Sequence, residues 1–248
     1  MELKYELTGN PAGKSIVCLH GFLESNDMWK EGCLANLPYQ FVLIQLPGHD
    51  ADSQLLPNDL SIADMVEPIL HILDKLNINN FDIIGHSLGG YVAIEVCKQK
   101  SSFEKLILLN SNFWSDSESK KLERVRIAQL VQTKLNGFIN EVVPNLFQQK
   151  ENCQLQIASI INKAKRLHPK NIAALTNAMK DRADNTEWIK TNQKKIVFIQ
   201  GEKDTVMPSA VSTQMCKANG IKFIEIPDSG HMSAYENTSE LNRILKTH

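Results

Sequence analysis

A chain of 248 residues that is 42% hydrophobic and 22% charged has room for one large α/β domain or two small ones, and its composition excludes a disordered, collagenous or coiled-coil protein. Lysine and arginine number 27 against 28 aspartates and glutamates, a formal charge of -1, so the basic footprint that a phosphate backbone requires has no source and no nucleic-acid partner is expected. The five cysteines, Cys18, Cys33, Cys97, Cys153 and Cys216, are odd in number and form no C-x-x-C pair, which excludes a disulfide framework or zinc knuckle and fits a reducing compartment.

At the N-terminus, Met1 to Glu6 lacks the apolar stretch of a signal peptide, and no apolar run approaches the roughly 18 residues of a membrane span, so a cytoplasmic chain without a span is expected. Short apolar, β-branched runs follow at 16–19, 41–44, 81–84, 106–109, 196–199 and 223–226. Most are continuously apolar, as strands covered on both faces must be. Ile62, Val66, Ile69, Leu70 and Leu73 precede the third run at helical spacing, and Val92, Ala93 and Val96 follow it. Strand alternating with helix predicts an α/β protein with a mainly parallel central sheet and helices on both faces.

The alternation breaks once, across residues 112–195, where apolar residues fall only at helical intervals. Val131, Leu135, Phe138, Ile139, Val142 and Val143 trace one helix that ends near Pro144, and Ile157, Ile160, Ile161, Ala164 and Leu167 trace another, stopped by His168-Pro169. This reads as a helical insertion over the sheet, flanked by core segments 1–111 and 196–248.

The chemistry concentrates at Gly85-His86-Ser87-Leu88-Gly89, a G-x-S-x-G pentapeptide between a strand run and a helical run. That placement predicts a sharp turn holding Ser87 in a strained conformation with its hydroxyl exposed, and glycines at 85 and 89 where side chains would collide. A serine hydroxyl needs a base, and His231 is the histidine best placed to serve: it lies just after the last strand run, where parallel sheets build their sites. The base needs a carboxylate, and Gly201-Glu202-Lys203-Asp204 follows the run at 196–199 directly. Asp204 is preferred for its depth in the loop and short side chain, with Glu202 the alternative. For an oxyanion, Leu88 N–H follows the nucleophile, and Phe22 N–H in His20-Gly21-Phe22-Leu23 is the second donor. His20 and His86 read as structural. No His or Cys spacing indicates a metal site, and no cofactor is expected.

Five segments in order, Leu19-His20-Gly21-Phe22, Leu46-Pro47-Gly48-His49, Gly85-His86-Ser87-Leu88-Gly89-Gly90, Gly201-Glu202-Lys203-Asp204 and Gly230-His231, resemble those of α/β-hydrolases over nearly the whole chain. Within that superfamily the chain is similar to compact serine carboxylesterases and enol-lactone hydrolases, with the menaquinone-pathway synthase, a serine-triad lyase, as a relative. Two positions depart from pattern. Asp50 follows Pro-Gly-His where the family often has Gly, and the elbow reads Gly-His-Ser where the synthase usually has Gly-Tyr-Ser. The resemblance implies the α/β-hydrolase fold, a helical cap at 112–195, and Ser87, Asp204 and His231 as the catalytic triad. Serine at the elbow argues against the epoxide- and halide-processing members, which use aspartate there.

The expected reaction is hydrolysis of a small or medium carboxylic ester, the small-molecule substrate, through an acyl-enzyme on Ser87. Phe22, Leu23, Phe113, Trp114 and Met232 stand in or beside the expected site loops and form the candidate pocket. Two alternatives stay open: a lyase using the same serine and histidine without an acyl-enzyme, and a ligand receptor on the hydrolase fold.

Overall fold

The computed structural model describes residues 2–30, 34 and 37–247. Among them, seven strands form one sheet in the order β1-β3-β2-β4-β5-β6-β7: β1 (Tyr5–Gly9), β2 (Ser15–Leu19), β3 (Gln40–Ile44), β4 (Phe81–His86), β5 (Phe103–Leu109), β6 (Ile196–Gly201) and β7 (Lys222–Ile226). All pairings are parallel except that of β1 with β3. The six apolar runs are β2 to β7. β1 escapes the sequence reading because it is an edge strand whose residues after Tyr5 are exposed, so no apolar run marks it.

Strand residues alternate between two cores, as the pleat requires. Val17, Leu19 and Ile83 face a larger core under α1 (Val66–Lys75) and α2 (Leu88–Gln99). Ile16, Cys18 and Ile84 face a smaller one closed by Met28, Trp29 and, near the C-terminus, Leu241, Ile244 and Leu245. Between β5 and β6 the described residues form only helices and turns: α3 (Glu118–Asn145), α4 (Gln154–Ala164), α5 (Pro169–Lys180) and α6 (Thr186–Thr191). Pro144 sits in the last turn of α3 rather than just beyond it. His168-Pro169 opens α5, with His168 accepting the Lys170 N–H and Pro169 in the first turn, where a missing N–H is tolerated. The later helices are α7 (Ser209–Ala218), α8 (Ser233–Glu236) and α9 (Thr238–Thr247).

No helix of the described residues is long and apolar enough to cross a membrane. Cys97, Cys153 and Cys216 are buried thiols, whereas Cys33 lies outside the described residues.

Register brings the chemistry together. Leu19 pairs with Gly85, His86 with Leu109, and Leu109 with Ile199, so β2, β4, β5 and β6 end at one edge of the sheet. The loops carrying Phe22, Ser87, Asn110 and Asp204 leave from that edge, the usual crevice of an open parallel sheet.

Candidate active site

Ser87 joins β4 to α2 at φ 50° and ψ -114°, outside the regions that an L-residue prefers. Its N–H is held by the Leu109 carbonyl at 3.1 Å and its carbonyl by Ser111 Oγ at 2.7 Å, so two neighbouring contacts fix the strained turn. Glycine is required on both sides for want of room: a Cβ at Gly85 would run into the Gly89 carbonyl, and one at Gly89 into the carbonyls of Leu19 and His20. Ser87 is half-buried and lines a cavity of about 320 Å³ together with His231. No hydrogen bond joins the two side chains among the described residues, and such contacts often tighten only with substrate bound. Leu23, Asn110 and Asp228 also have positive φ, at 65°, 44° and 52°. Four of the five non-glycine residues with positive φ among those described thus stand after β2, β4, β5 and β7 at one end of the sheet, the fifth, Asn77, preceding β4.

His231 Nδ1 lies 2.9 Å from Asp204 Oδ2, and both side chains are buried. Asp204 receives four hydrogen bonds: from His231, from Asn110 Nδ2 at 3.0 Å, and from the Val206 and Met207 N–H groups at 2.8 and 3.0 Å. Burial alone pushes this carboxyl up, but the adjacent His231 and these donors outweigh it and hold the group below the ordinary carboxylate range. Glu202 is exposed and accepts the Asp228 N–H instead, so it does not reach His231. Asn110 and Ser111 were not singled out from sequence, because neither titrates and their roles arise only where β5 ends beside the elbow.

His86 is fully buried and does not face the cavity. Its Nε2 lies 2.8 Å from the His231 carbonyl and its Nδ1 3.0 Å from Glu24 Oε2, which also accepts the Gly21 N–H at 2.7 Å. Both ring nitrogens thus face acceptors, which requires a proton on each and makes the pair an imidazolium and a carboxylate. Burial would lower the His86 value, but Glu24 raises it; burial would raise Glu24, but His86 lowers it. This pair ties the loops of Gly21, Ser87 and His231 to one another. His20 is different: Nδ1–H donates to the Gly21 carbonyl at 2.9 Å and Nε2 accepts the Leu46 N–H at 3.0 Å, a neutral tautomer. Desolvation first, then neighbouring His49, push its value down to about 3.

Of the five candidate pocket residues, Phe22 and Leu23 line the cavity beside Ser87. Phe113 instead turns into the core against Phe198, and Trp114 packs edge-on against Phe113. Met232 is wholly buried. The remaining apolar wall comes from Ile127, Phe138, Val142 and Leu146 in and just after α3, Met179 in α5, and Val206 and Met207. Helical periodicity located the helices of 112–195 but not the face that each turns to Ser87. Leu88 begins α2, whose N-terminal dipole points at the elbow. No hydrogen bond takes up the Phe22 or Leu88 N–H among the described residues. Among them, too, no group of three or more His, Cys, Asp or Glu could hold a metal ion.

A family profile for the alpha/beta hydrolase fold matches residues 14–238. The structure resembles a thermophilic esterase from Thermogutta terrifontis, 24% identical, with a TM-score of 0.87 over 99% of this chain and 92% of that one. It also resembles the enol-lactonase from Burkholderia xenovorans, 19% identical, with a TM-score of 0.85 over 98% and 94%. At these identities the likeness is one of fold. A Haemophilus influenzae protein provisionally named 2-succinyl-6-hydroxy-2,4-cyclohexadiene-1-carboxylate synthase is 22% identical over 94% of this chain and 96% of its own. Two further curated relatives are longer, and the chain spans 66% of one and 28% of the other.

Proposed function

This chain belongs to the α/β-hydrolase family, and we propose that within it the chain is a serine hydrolase cleaving a small or medium carboxylic ester through an acyl-enzyme on Ser87. The observation that carries this reading is the buried His231 to Asp204 hydrogen bond of 2.9 Å, on a histidine that shares one cavity with the strained Ser87.

Asp204 accepts from Nδ1–H, which leaves Nε2 of His231 free to take the Ser87 proton. The serine oxygen attacks the ester carbonyl, and the N–H groups of Leu88 and Phe22 receive the oxyanion at the N-terminus of α2. The carbon–oxygen bond then breaks, His231 gives its proton to the departing alcohol, and the acyl group stays on Ser87. Water, deprotonated by His231, releases the acid in the second half. Asn110 and the N–H groups of Val206 and Met207 keep Asp204 ionised. Residues 112–195 act as the cap, closing the cavity from above with the inner face of α3.

The test is hydrolysis of p-nitrophenyl esters from acetyl to dodecanoyl by the wild-type and Ser87→Ala proteins. Turnover that disappears with Ser87 supports the reading, and the chain-length optimum sizes the pocket. A second reading, a lyase drawing on the same Ser87 and His231, is favoured by the relation to the Haemophilus protein. It predicts no turnover of simple esters by a folded protein.

A further inference from the structure

Two cavities meet at one side chain. The cavity at Ser87, about 320 Å³, and a second one of about 200 Å³ share a single lining residue among those described, Tyr91. Tyr91 is buried and lies on α2 one turn beyond Ser87, roughly 6 Å along the helix axis. Behind it the second cavity follows the same stripe of α2, past Ile94, Glu95 and Lys98, positions that share a helical face with residue 91. Ile62 and Phe113, both buried, line its inner part, while Ser61, Lys98 and Asp181 are exposed at its outer part. Phe113, an expected pocket residue, thus stands behind Tyr91 rather than beside Ser87.

The ring of Tyr91 is held in place. The Arg182 guanidinium, which lines the second cavity, lies 4.3 Å from the ring centroid, a cation–π contact. Arg182 is itself fixed: it donates to the Met179 and Trp114 carbonyls at 2.8 and 2.9 Å and to Asn112 Oδ1 at 3.2 Å, and pairs with Asp116 at 2.7 Å. A ring backed in this way is a wall, and the wall stands on the acyl side of Ser87. The departing oxygen must meet His231, so the alcohol half of an ester lies toward the loop after β7. The second cavity is lined by residues 61–63, α2, residues 112–113 and residues 181–185, and by none of the described residues in 196–248. In the sheet, β5 and β6 separate β7 from β4, the strand that leads into α2.

We infer that Tyr91 sets the acyl-chain limit of the site: its ring ends the acyl pocket, and the second cavity is a walled-off continuation that the substrate does not enter. The inference rests on the ester-hydrolase reading and deepens it. The substrates are esters of short acyl chains, those that fit between Ser87 and a ring one helical turn away, and Arg182 acts as a positioning residue for that ring.

The experiment measures kcat/KM for p-nitrophenyl esters from acetyl to dodecanoyl with wild type, Tyr91→Leu, which opens the wall, and Tyr91→Phe, which keeps the ring. In wild type the value should rise by up to about fourfold per methylene, the worth of burying one, and drop once the chain meets the ring. In Tyr91→Leu the optimum should move to a longer chain, and esters two carbons past the wild-type limit should gain by about tenfold. In Tyr91→Phe the optimum should stay. Adding Ile94→Phe to Tyr91→Leu fills the second cavity and should bring the optimum back toward the wild-type length. Butyrate esters of methanol to octanol should show the same alcohol preference in wild type and Tyr91→Leu. A wild-type optimum at decanoyl or dodecanoyl, an unchanged optimum in folded Tyr91→Leu, or a change confined to the alcohol series overturns the inference while leaving the hydrolase reading intact. If Tyr91→Leu does not fold, Tyr91→Trp decides, because a larger ring should shorten the optimum. If wild type turns over none of these esters, the hydrolase reading fails. Calorimetry of straight-chain methyl esters with Ser87→Ala, with and without Tyr91→Leu, then tests the wall alone: the affinity gained per methylene should stop at a shorter chain where Tyr91 is present.

Discussion

Replacing Glu24 with Gln removes one charge of the buried pair with His86 and no atoms of consequence to packing. Both the His86 Nδ1 and the Gly21 N–H contact the same oxygen, Oε2, at 3.0 and 2.7 Å. An amide oxygen placed there can accept both donors, but the link from Nε2 to the His231 carbonyl is kept as well only with His86 still cationic and without a counter-charge. If His86 instead gives up a proton, one of its two links, to residue 24 or to the His231 carbonyl, loses its donor. Removing one partner of a buried ion pair typically destabilises by about 3–5 kcal/mol, which in a chain of this size lowers Tm by roughly 6 to 20 °C. In the folded protein Glu24 lies below its ordinary value of 4.5 and His86 above its ordinary 6.5. The contribution of the pair is therefore complete between those two ordinary values. It is lost as pH falls through the lowered Glu24 value and as pH rises through the raised His86 value. The stability difference between wild type and Glu24→Gln, followed by urea unfolding from about pH 3 to pH 9, should be largest between the ordinary values of 4.5 and 6.5 and shrink on either side. In ester hydrolysis kcat should fall by about tenfold to a hundredfold, because the loops of Gly21 and His231 lose a common anchor. A difference that is flat with pH, or a variant with wild-type Tm and kcat, would refute the buried ion pair as a support of the site.

Other consequences follow from the same geometry. Ser87→Gly and Ser87→Ala should both lack turnover, but the glycine variant should be more stable by roughly 1 kcal/mol, because only glycine relieves the positive φ; paired thermal melts decide this. Asn110→Ala removes a donor from Asp204 and another from the Gly230 carbonyl, so it should lose about 1–3 kcal/mol of stability and lower kcat with little change in KM. His20 and His49 are buried and neutral, with values lowered by desolvation to about 3 and about 4. Their depressed values mean that the unfolded chain takes protons first as pH falls below about 6.5, so stability should drop by up to about 1.4 kcal/mol per pH unit for each histidine on the way to pH 4. Urea midpoints that stay level from pH 6.5 to pH 4.5 would contradict that.

Particular residues show how far the sequence is readable. Strands β2 to β7 are legible because both their faces are covered and their apolar runs are unbroken; β1 is not, because an exposed edge strand needs no such run. Ser87, His231 and Asp204 could be placed together because each lies directly after a strand run, and parallel register turns chain position into spatial proximity. Asn110 and Ser111 share that position but carry no titratable group to draw notice. The bond from His86 to the His231 carbonyl spans 145 positions, and that from His86 to Glu24 spans 62, so neither leaves a local pattern. The pocket was least legible of all. Aromatics adjoining the strand ends, such as Phe113 and Trp114, pack inward or against each other, while the wall is supplied by one face of α3 whose rotation depends on tertiary packing.

The central claim is that Ser87 carries an acyl group during turnover, and rapid quench followed by intact and peptide mass spectrometry tests it most directly. Protein quenched in acid while hydrolysing p-nitrophenyl butyrate should show one added butyryl group, mapped to the peptide holding Ser87 and absent from Ser87→Ala. Steady hydrolysis by wild type with no adduct on Ser87, or with full activity retained by Ser87→Ala, would contradict the account.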